Sequence, residues 1–137
     1  MNTKQENRNS SKRQIKYRWR SLCYSFKYAI RGIARVLKAE KSFRMQLLLG
    51  TLTVIVGFLF RISPTEWLFV ILMICIILCL EMINTAFELI IDLVTEEYKI
   101  IVEHIKDIAA GAVLIASFTA LIIGLAIFIP YFIALFQ

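Results

Sequence analysis

The sequence predicts an all-α membrane protein in which three transmembrane helices follow an N-terminal amphipathic surface helix. Of its 137 residues, 59% are hydrophobic, and the mean hydropathy is +0.72, more than a soluble core of this size needs. Apolar stretches at residues 43–62, 67–93 and 108–136 are each long enough to cross a membrane. Charge is divided, with a net of +11 over residues 1–46 and −5 over residues 47–137. We therefore expect one membrane domain at residues 15–137, after a disordered basic tail at residues 1–14.

The basic segment at residues 15–39 has the pattern of a surface helix. Its apolar residues recur at spacings of three and four, with basic side chains between them. This pattern is typical of a helix that lies in the membrane interface, and the alternative is an ordinary surface helix of a globular domain. The apolar positions are Trp19, Leu22, Phe26, Ile30, Ile33 and Leu37.

The long basic region also predicts the orientation and the partners of the chain. It is too long for the charged region of a cleavable signal peptide, and no short apolar region with a small-residue cleavage site follows it. Positive charge before the first span predicts a cytoplasmic N-terminus in the cell membrane, where the segment can bind anionic headgroups. Nucleic acid is disfavoured as a partner, because the segment leads directly into the membrane.

The three spans are separated by clear boundary signals. A short turn containing Pro64 separates the first two, and a polar loop with some helical character at residues 95–107 separates the second and third. Pro130 is expected to bend or end the third. Three spans cannot easily surround a polar site, so we expect an oligomer. The third span also has a small residue at every fourth position, which favours close helix packing within or between subunits. These residues are Ala112, Ala116, Ala120 and Gly124.

The second span carries a polar stripe, which follows an uninterrupted apolar run from residue 67 to residue 80. Glu81, Asn84, Glu88 and Asp92 have spacings that place them on one helical face. A carboxylate within the membrane costs ~3 kcal/mol on insertion scales, so three in register favour a site that faces protein, water or a metal ion. The helical rise places Glu81 ~20 Å from the start of this span, in the cytoplasmic third of a ~30 Å membrane core.

Glu40 is almost the only acid in the basic N-terminal third, and it precedes the first span near the same membrane boundary. Two carboxylates at one interface suit a hard cation such as Mg²⁺, and a third that is buried deeper could act as a general base on an alcohol. Glu81 could instead form a structural ion pair or serve as a proton relay. Lys106 could contact phosphates, although with Asp107 it also suits an anchor beside the third span. The sequence has no P-loop, so any ATP site is not built on that fold.

Together these residues resemble those of a known family. The motif E-M-I-N-T-A-F-E-L-I-I-D at residues 81–92, with K-D-I-A-A-G at residues 106–111, is similar to the small prokaryotic integral-membrane diacylglycerol kinases and undecaprenol kinases. The resemblance covers roughly residues 25–130. It implies a homotrimer whose active sites are shared between subunits at the membrane–cytoplasm interface. It also implies transfer of the γ-phosphoryl group of Mg-ATP to a lipid hydroxyl.

By position in the motif, the resemblance implies a role for each candidate residue. Glu81 is expected to be the general base, and Glu40 and Glu88 are expected to be the metal ligands that hold the ATP phosphates. Asn84 is expected to help organise the site. The resemblance further implies nucleotide contacts from Tyr28, Glu97, Tyr98, Lys106 and Asp107.

Two departures from the family pattern bear on the nucleotide and the lipid. Lys99 stands in the nucleotide-binding segment where the family commonly has His, and it is expected to alter a nucleotide contact. Gln46 stands where the Gram-negative diacylglycerol kinases have an acid, which favours the Gram-positive branch. That branch generally phosphorylates undecaprenol, and diacylglycerol is the alternative acceptor. Outside the family, the polar stripe is also compatible with a small proton-coupled transporter that uses Glu81 as its relay, or with a non-enzymatic membrane regulator.

Overall fold

The computed structural model describes residues 24–94 and 100–137, and this part of the chain is helical throughout apart from short turns. It contains four helices: α1 at 24–39, α2 at Lys41–Phe60, α3 at Pro64–Val94 and α4 at Ile100–Ala134. The all-α prediction is therefore confirmed. The expected disordered tail at residues 1–14 and the first part of the expected surface helix lie outside the described residues.

The chain divides into two compact units between Lys38 and Ala39. In the first unit, α1 exposes apolar side chains at helical spacing, among them Phe26 and Ile30, with basic residues between them. That surface suits a lipid interface. The placement of α1 in the interface stays a prediction, as does the single domain over residues 15–137. The second unit contains the three long helices, with α3 in contact with both α2 and α4.

The three helices of the second unit are long and apolar enough to span a membrane. Their mean hydropathies are 1.8 over Lys41–Phe60, 2.5 over Pro64–Leu93 and 2.7 over Ile101–Ala134. One boundary differs from expectation. The helix α4 begins at Ile100, because the apolar spacing of the third span extends back into the expected loop, so Lys106 and Asp107 lie near the start of this helix. Pro130 lies inside α4, which continues to Ala134, so of the two effects expected of the proline, the end of the helix does not occur.

The distribution of polarity in this unit is inverted relative to a soluble protein. Large apolar side chains point outward along all three helices, as Leu59, Leu68 and Ile122 do. Near the middle of α3, by contrast, Glu81 and Thr85 are only 5% and 4% exposed. Apolar groups gain nothing by leaving a lipid environment, whereas a carboxylate gains from protein contacts there. This inversion supports the membrane assignment and marks where the polar site lies.

The turn between α2 and α3 is short and fully hydrogen-bonded. Arg61 has a positive φ of 53°, its N–H donates to the carbonyl of Phe58, and the N–H of Ile62 donates to the carbonyl of Gly57. These two bonds form a Schellman motif, which satisfies carbonyls that a helix end otherwise leaves unpaired. Three residues therefore suffice to reverse the chain, and α2 and α3 form an antiparallel hairpin.

The start of α3 has a capping box that also attaches α4. The N–H of Ser63 donates to Glu66 Oε2 at 2.7 Å, and the N–H of Glu66 donates to Ser63 Oγ at 3.4 Å. Pro64 occupies the first helical position, where its missing N–H has no cost. The Tyr131 hydroxyl also donates to Glu66 Oε2 at 2.8 Å, so the end of α4 is tied to the beginning of α3.

The apolar core lies at this same end of the hairpin. Ile62, Val70 and Ile127 are its buried members. Trp67 packs beside them because Gly57 has no side chain: a Cβ there would lie 2.9 Å from Cη2 of Trp67. The indole ring thus fills the space that a larger residue on α2 would occupy.

Gly57→Val is expected to destabilise the second unit by about 1–3 kcal/mol, because overpacking a close contact forces the surrounding side chains to shift. The measurement is the thermal unfolding midpoint in detergent. Gly111→Val is the matched control, since a Cβ at Gly111 meets nothing within 4 Å. Equal changes in the two midpoints would show that the contact with Trp67 does not constrain residue 57.

Candidate active site

The polar stripe on α3 forms as the sequence predicts. Glu81 and Asn84 are buried, Glu88 is half-buried and Asp92 is exposed. The stripe therefore passes from the packed interior of the three-helix unit to its surface over three turns of one helix. A group buried at one end of such a stripe can act on a membrane-embedded molecule, while groups at the other end can meet a soluble one.

Glu81 is held from two sides. The amide Nε2 of Gln46, on α2, donates to Glu81 Oε2 at 3.1 Å. One turn further along α3, the Thr85 hydroxyl donates to the backbone carbonyl of Glu81 at 3.0 Å. The carboxylate is thus oriented by a neutral amide from a neighbouring helix. No ion pair to Glu81 is present among the described residues of the chain.

Asn84 links the buried and the exposed parts of the stripe. Its Nδ2 donates to Glu88 Oε1 at 3.0 Å, one helical turn away. Its Oδ1 is buried and has no hydrogen-bond partner among the described residues. An unpaired buried acceptor is costly unless a ligand or another group completes it. Asn84 therefore contacts Glu88 through its N–H and also has a buried oxygen without a described partner, and its expected organising role stays a prediction.

The antiparallel hairpin brings Glu40 to the level of Glu88. The hydrogen bond between Gln46 and Glu81 fixes the alignment of α2 and α3 at this end of the unit. From that contact, Glu40 is ~9 Å along α2 and Glu88 is ~10 Å along α3, in the same direction. Both side chains are half-buried. The two predicted metal ligands thus lie at a similar level along the hairpin, Glu40 at the N-cap of α2 and Glu88 on α3.

Lys106 has a partner that the sequence did not identify. Its ammonium group lies 2.8 Å from Asp92 Oδ1, with side-chain exposures of 39% and 64%. The pair joins the end of α3 to the second turn of α4. The only signal for this ion pair in the sequence is that opposite charges occur near the end of α3 and near the start of α4. That signal does not specify which residues pair. Asp107, the next residue, is exposed.

An apolar cavity lies beside Gln46, which contacts the buried end of the stripe. Its volume is about 380 Å³, and it lies between α2, α3 and α4. Ala120 and Gly124 are among its lining residues, so part of the predicted small-residue ridge faces this cavity. Gln46, which contacts Glu81, is among the lining residues. An apolar chain in the cavity could therefore present a polar end group to the carboxylate.

Comparison with known families identifies this arrangement. The sequence profile of prokaryotic diacylglycerol kinases matches residues 27–128. The chain belongs to this kinase family. It is 38% identical over 106 residues to the undecaprenol kinase of Bacillus subtilis, covering 77% of this chain and 86% of that protein. It is also 32% identical over 111 residues to the diacylglycerol kinase of a Synechocystis species, covering 80% of this chain but 63% of that protein.

Membership of the diacylglycerol kinase family confirms the predicted enzyme class. This chain is a lipid kinase, and the kinase family implies the use of ATP. Its similarity to an undecaprenol kinase supports the predicted Gram-positive branch. A transporter or a non-enzymatic regulator is therefore set aside.

The structure locates only some of the residues expected to bind the nucleotide in this kinase. Lys106 and Asp107 lie on α4, in the same unit as Glu81, Asn84 and Glu88. Tyr28 lies on α1 and is 64% exposed. The other three residues that are predicted to contact the nucleotide lie outside the described part of the chain: Glu97, Tyr98 and Lys99.

Gln46 is a residue beside the site whose contact the sequence did not predict. In the sequence it stands out only as a departure from an acid, yet it makes the hydrogen bond that orients Glu81. The pairing depends on the alignment of two helices, which no local pattern reveals.

Proposed function

We propose that this kinase transfers the γ-phosphoryl group of Mg-ATP to the hydroxyl of undecaprenol at the cytoplasmic surface of the cell membrane. The observation that carries the proposal is Glu81, a carboxylate 5% exposed and hydrogen-bonded to Gln46 beside an apolar cavity. The 38% identity to the undecaprenol kinase of Bacillus subtilis favours a polyprenol as acceptor. The basic N-terminal third favours a cytoplasmic N-terminus.

Glu81 is the general base of the proposed reaction. As the lipid oxygen attacks the γ-phosphorus, its proton passes to the Glu81 carboxylate, the bond from the γ-phosphorus to the ADP oxygen breaks, and ADP leaves. The hydrogen bond from Gln46 occupies Oε2 and leaves Oε1 for the alcohol. A positioned base contributes typically ~10²–10⁴-fold. Positioning of the two substrates and stabilisation of phosphate charge supply the remainder.

The residues present fit a magnesium ion. Mg²⁺ prefers oxygen ligands and commonly uses one or two carboxylates together with substrate phosphates. Glu88 supplies a carboxylate beside the unpaired Oδ1 of Asn84, and the hairpin brings Glu40 to the same level. No cluster of three or more potential ligands occurs among the described residues, so the proposal requires phosphate oxygens to complete the site. When bound, the ion would neutralise charge on the phosphate oxygens.

The nucleotide would lie on the exposed side of the stripe. Lys106 carries positive charge there, beside Asp92 and on the same turn as Asp107. Phosphate oxygens can replace the single carboxylate oxygen that Lys106 contacts. Tyr28, Glu97, Tyr98 and Lys99 are proposed as the further nucleotide contacts.

A homotrimer with shared sites is part of the proposal. Large apolar side chains are exposed along all three long helices, including Ile115 and Phe118 on α4. The mass of the assembled protein in detergent, measured by light scattering, tests whether three chains associate.

Lys106→Gln is expected to raise the KM for ATP without lowering the thermal unfolding midpoint, because exposed ion pairs contribute little to stability. Asp92→Asn removes the same ion pair but leaves the ammonium group, so its KM should stay unchanged. Steady-state kinetics with ATP varied at saturating lipid measures both. An equal rise in KM for the two variants would indicate that the ion pair, and not a nucleotide contact, is responsible.

The decisive test is phosphate transfer from labelled ATP by the purified protein in mixed micelles with Mg²⁺. Undecaprenol and diacylglycerol are offered in parallel, because the similarity to the Synechocystis diacylglycerol kinase makes the second lipid the alternative acceptor. We expect strong preference for undecaprenol. Preference for diacylglycerol would overturn the assigned acceptor, and no transfer to either lipid by folded protein would overturn the proposed reaction.

A further inference from the structure

Gln46 is the one described side chain from another helix that hydrogen-bonds to the Glu81 carboxylate. It comes from α2, 35 positions away along the chain, with Nε2 donating to Oε2 at 3.1 Å. The carbonyl Oε1 of the same amide is buried and has no hydrogen-bond partner among the described residues. Because the amide carbonyl makes no described hydrogen bond, the orientation of this amide is determined by its bond to Glu81.

The hydrogen bond restricts the carboxylate to one useful orientation. Glu81 has three rotatable side-chain bonds, and the Thr85 hydroxyl contacts only its backbone carbonyl. Without the amide, no described side chain would hold the carboxylate plane. With it, Oε2 is occupied and Oε1 is left for a proton from the acceptor.

Gln46 also lies where the acceptor approaches. It lines the apolar cavity between α2, α3 and α4, whose polar lining is otherwise limited to hydroxyl groups. Two of these, Thr53 and Ser117, donate to backbone carbonyls of their own helices. The amide of Gln46 therefore links the cavity to the carboxylate.

We propose that Gln46 is a positioning residue for phosphoryl transfer, which acts by holding Glu81 in the orientation that accepts the proton of the lipid alcohol. This inference rests on the proposed role of Glu81 as general base. It assigns to Gln46 no contact with ATP. Loss of the amide should therefore change the rate of transfer and leave nucleotide binding as it is.

The test compares Gln46→Met with Gln46→Leu. Methionine keeps the length and the buried apolar part of the side chain but removes the N–H donor. Leucine also removes the donor and adds no charge beside Glu81. Misplacing a catalytic group by ~1 Å can cost ~10²-fold in rate, so each variant should lower kcat by about 10–100-fold with an unchanged KM for ATP. Should the methionine variant fail to fold, the leucine variant measures the same loss.

Thr51→Val is the matched control. Thr51 lies on α2, is exposed, and donates only to the carbonyl of Leu47 in its own helix. Its kcat should equal that of the wild type. Thermal unfolding midpoints of all variants in the same detergent identify any loss of folded protein.

A double-mutant cycle separates positioning from a merely structural role. If Gln46 acts through Glu81, adding Gln46→Met to Glu81→Gln should cause no further loss of the residual rate. A full additional loss in that background, a raised KM for ATP, or a wild-type kcat for Gln46→Met would each overturn the inference. If Gln46→Met is fully active while Glu81→Gln is inactive, the inference fails alone. If Glu81→Gln is itself fully active, the proposed base fails, and this inference fails with it.

Discussion

Glu81→Gln is expected to lower kcat by about 10²–10⁴-fold, the contribution of a positioned general base. The amide is similar in shape to the carboxylate and can accept the hydrogen bond from Gln46 through its own carbonyl oxygen. The fold should therefore persist, while the group that receives the alcohol proton is lost. The measurement is initial-rate kinetics with undecaprenol in mixed micelles, together with the thermal unfolding midpoint of the same preparation.

Glu66→Gln is the matched control for that substitution. Glu66 is a carboxylate on the same helix, but it lies in the capping box at the opposite end and accepts from Ser63 and Tyr131. Its replacement should affect stability and leave kcat near the wild-type value. Wild-type kcat in Glu81→Gln would exclude the general-base role. A loss shared equally by both variants would indicate that α3 tolerates no change of charge.

Glu88→Gln has the second largest expected effect, which should appear in the magnesium dependence. Glu88 accepts a hydrogen bond from Asn84 and lies at the level of Glu40, so the substitution removes one of two proposed carboxylate ligands. Loss of a carboxylate ligand weakens the hold on a hard cation. We expect the Mg²⁺ concentration for half-maximal activity to rise by on the order of 10-fold or more.

The control for Glu88→Gln is the magnesium titration of Glu81→Gln. Its residual activity should show the wild-type magnesium midpoint, since Glu81 is not a proposed ligand. Partial rescue of Glu88→Gln at high Mg²⁺ would support the ligand assignment. An unchanged midpoint with a reduced maximum rate would instead place Glu88 in a role unrelated to the metal.

Local periodicity was sufficient to predict the helices and the polar stripe. The spacing of Glu81, Asn84, Glu88 and Asp92 determines which helical face they share, whatever the rest of the chain does. The apolar lengths likewise determine the number of spans. The capping box of Ser63 and Glu66 could have been recognised from its S-x-x-E spacing.

Contacts between helices could not be predicted in this way. The bond from Gln46 to Glu81 depends on how far α2 slides along α3, and the ion pair from Lys106 to Asp92 depends on the same property of α3 and α4. The start of α4 could be predicted only as a polar loop with some helical character, because charged residues near a membrane boundary resemble a loop, although Ile101 and Ile105 keep the helical spacing. The sequence thus identifies individual residues of a site built from several helices, but not the contacts that bring those residues together.

The turn at residues 61–63 determines the alignment of the active site at the opposite end of the hairpin. One inserted residue taken up as an extra helical residue next to this turn would move α3 by ~1.5 Å and rotate it by ~100° relative to α2. Gln46 lies ~20 Å from the turn along α2, yet it would then face away from Glu81. During the divergence of this kinase, insertions and deletions should therefore be excluded from the turn. They should be tolerated at positions where a change in length does not alter the alignment of α2 with α3. A connection on one face of the bilayer thus limits how the chemistry on the other face can evolve.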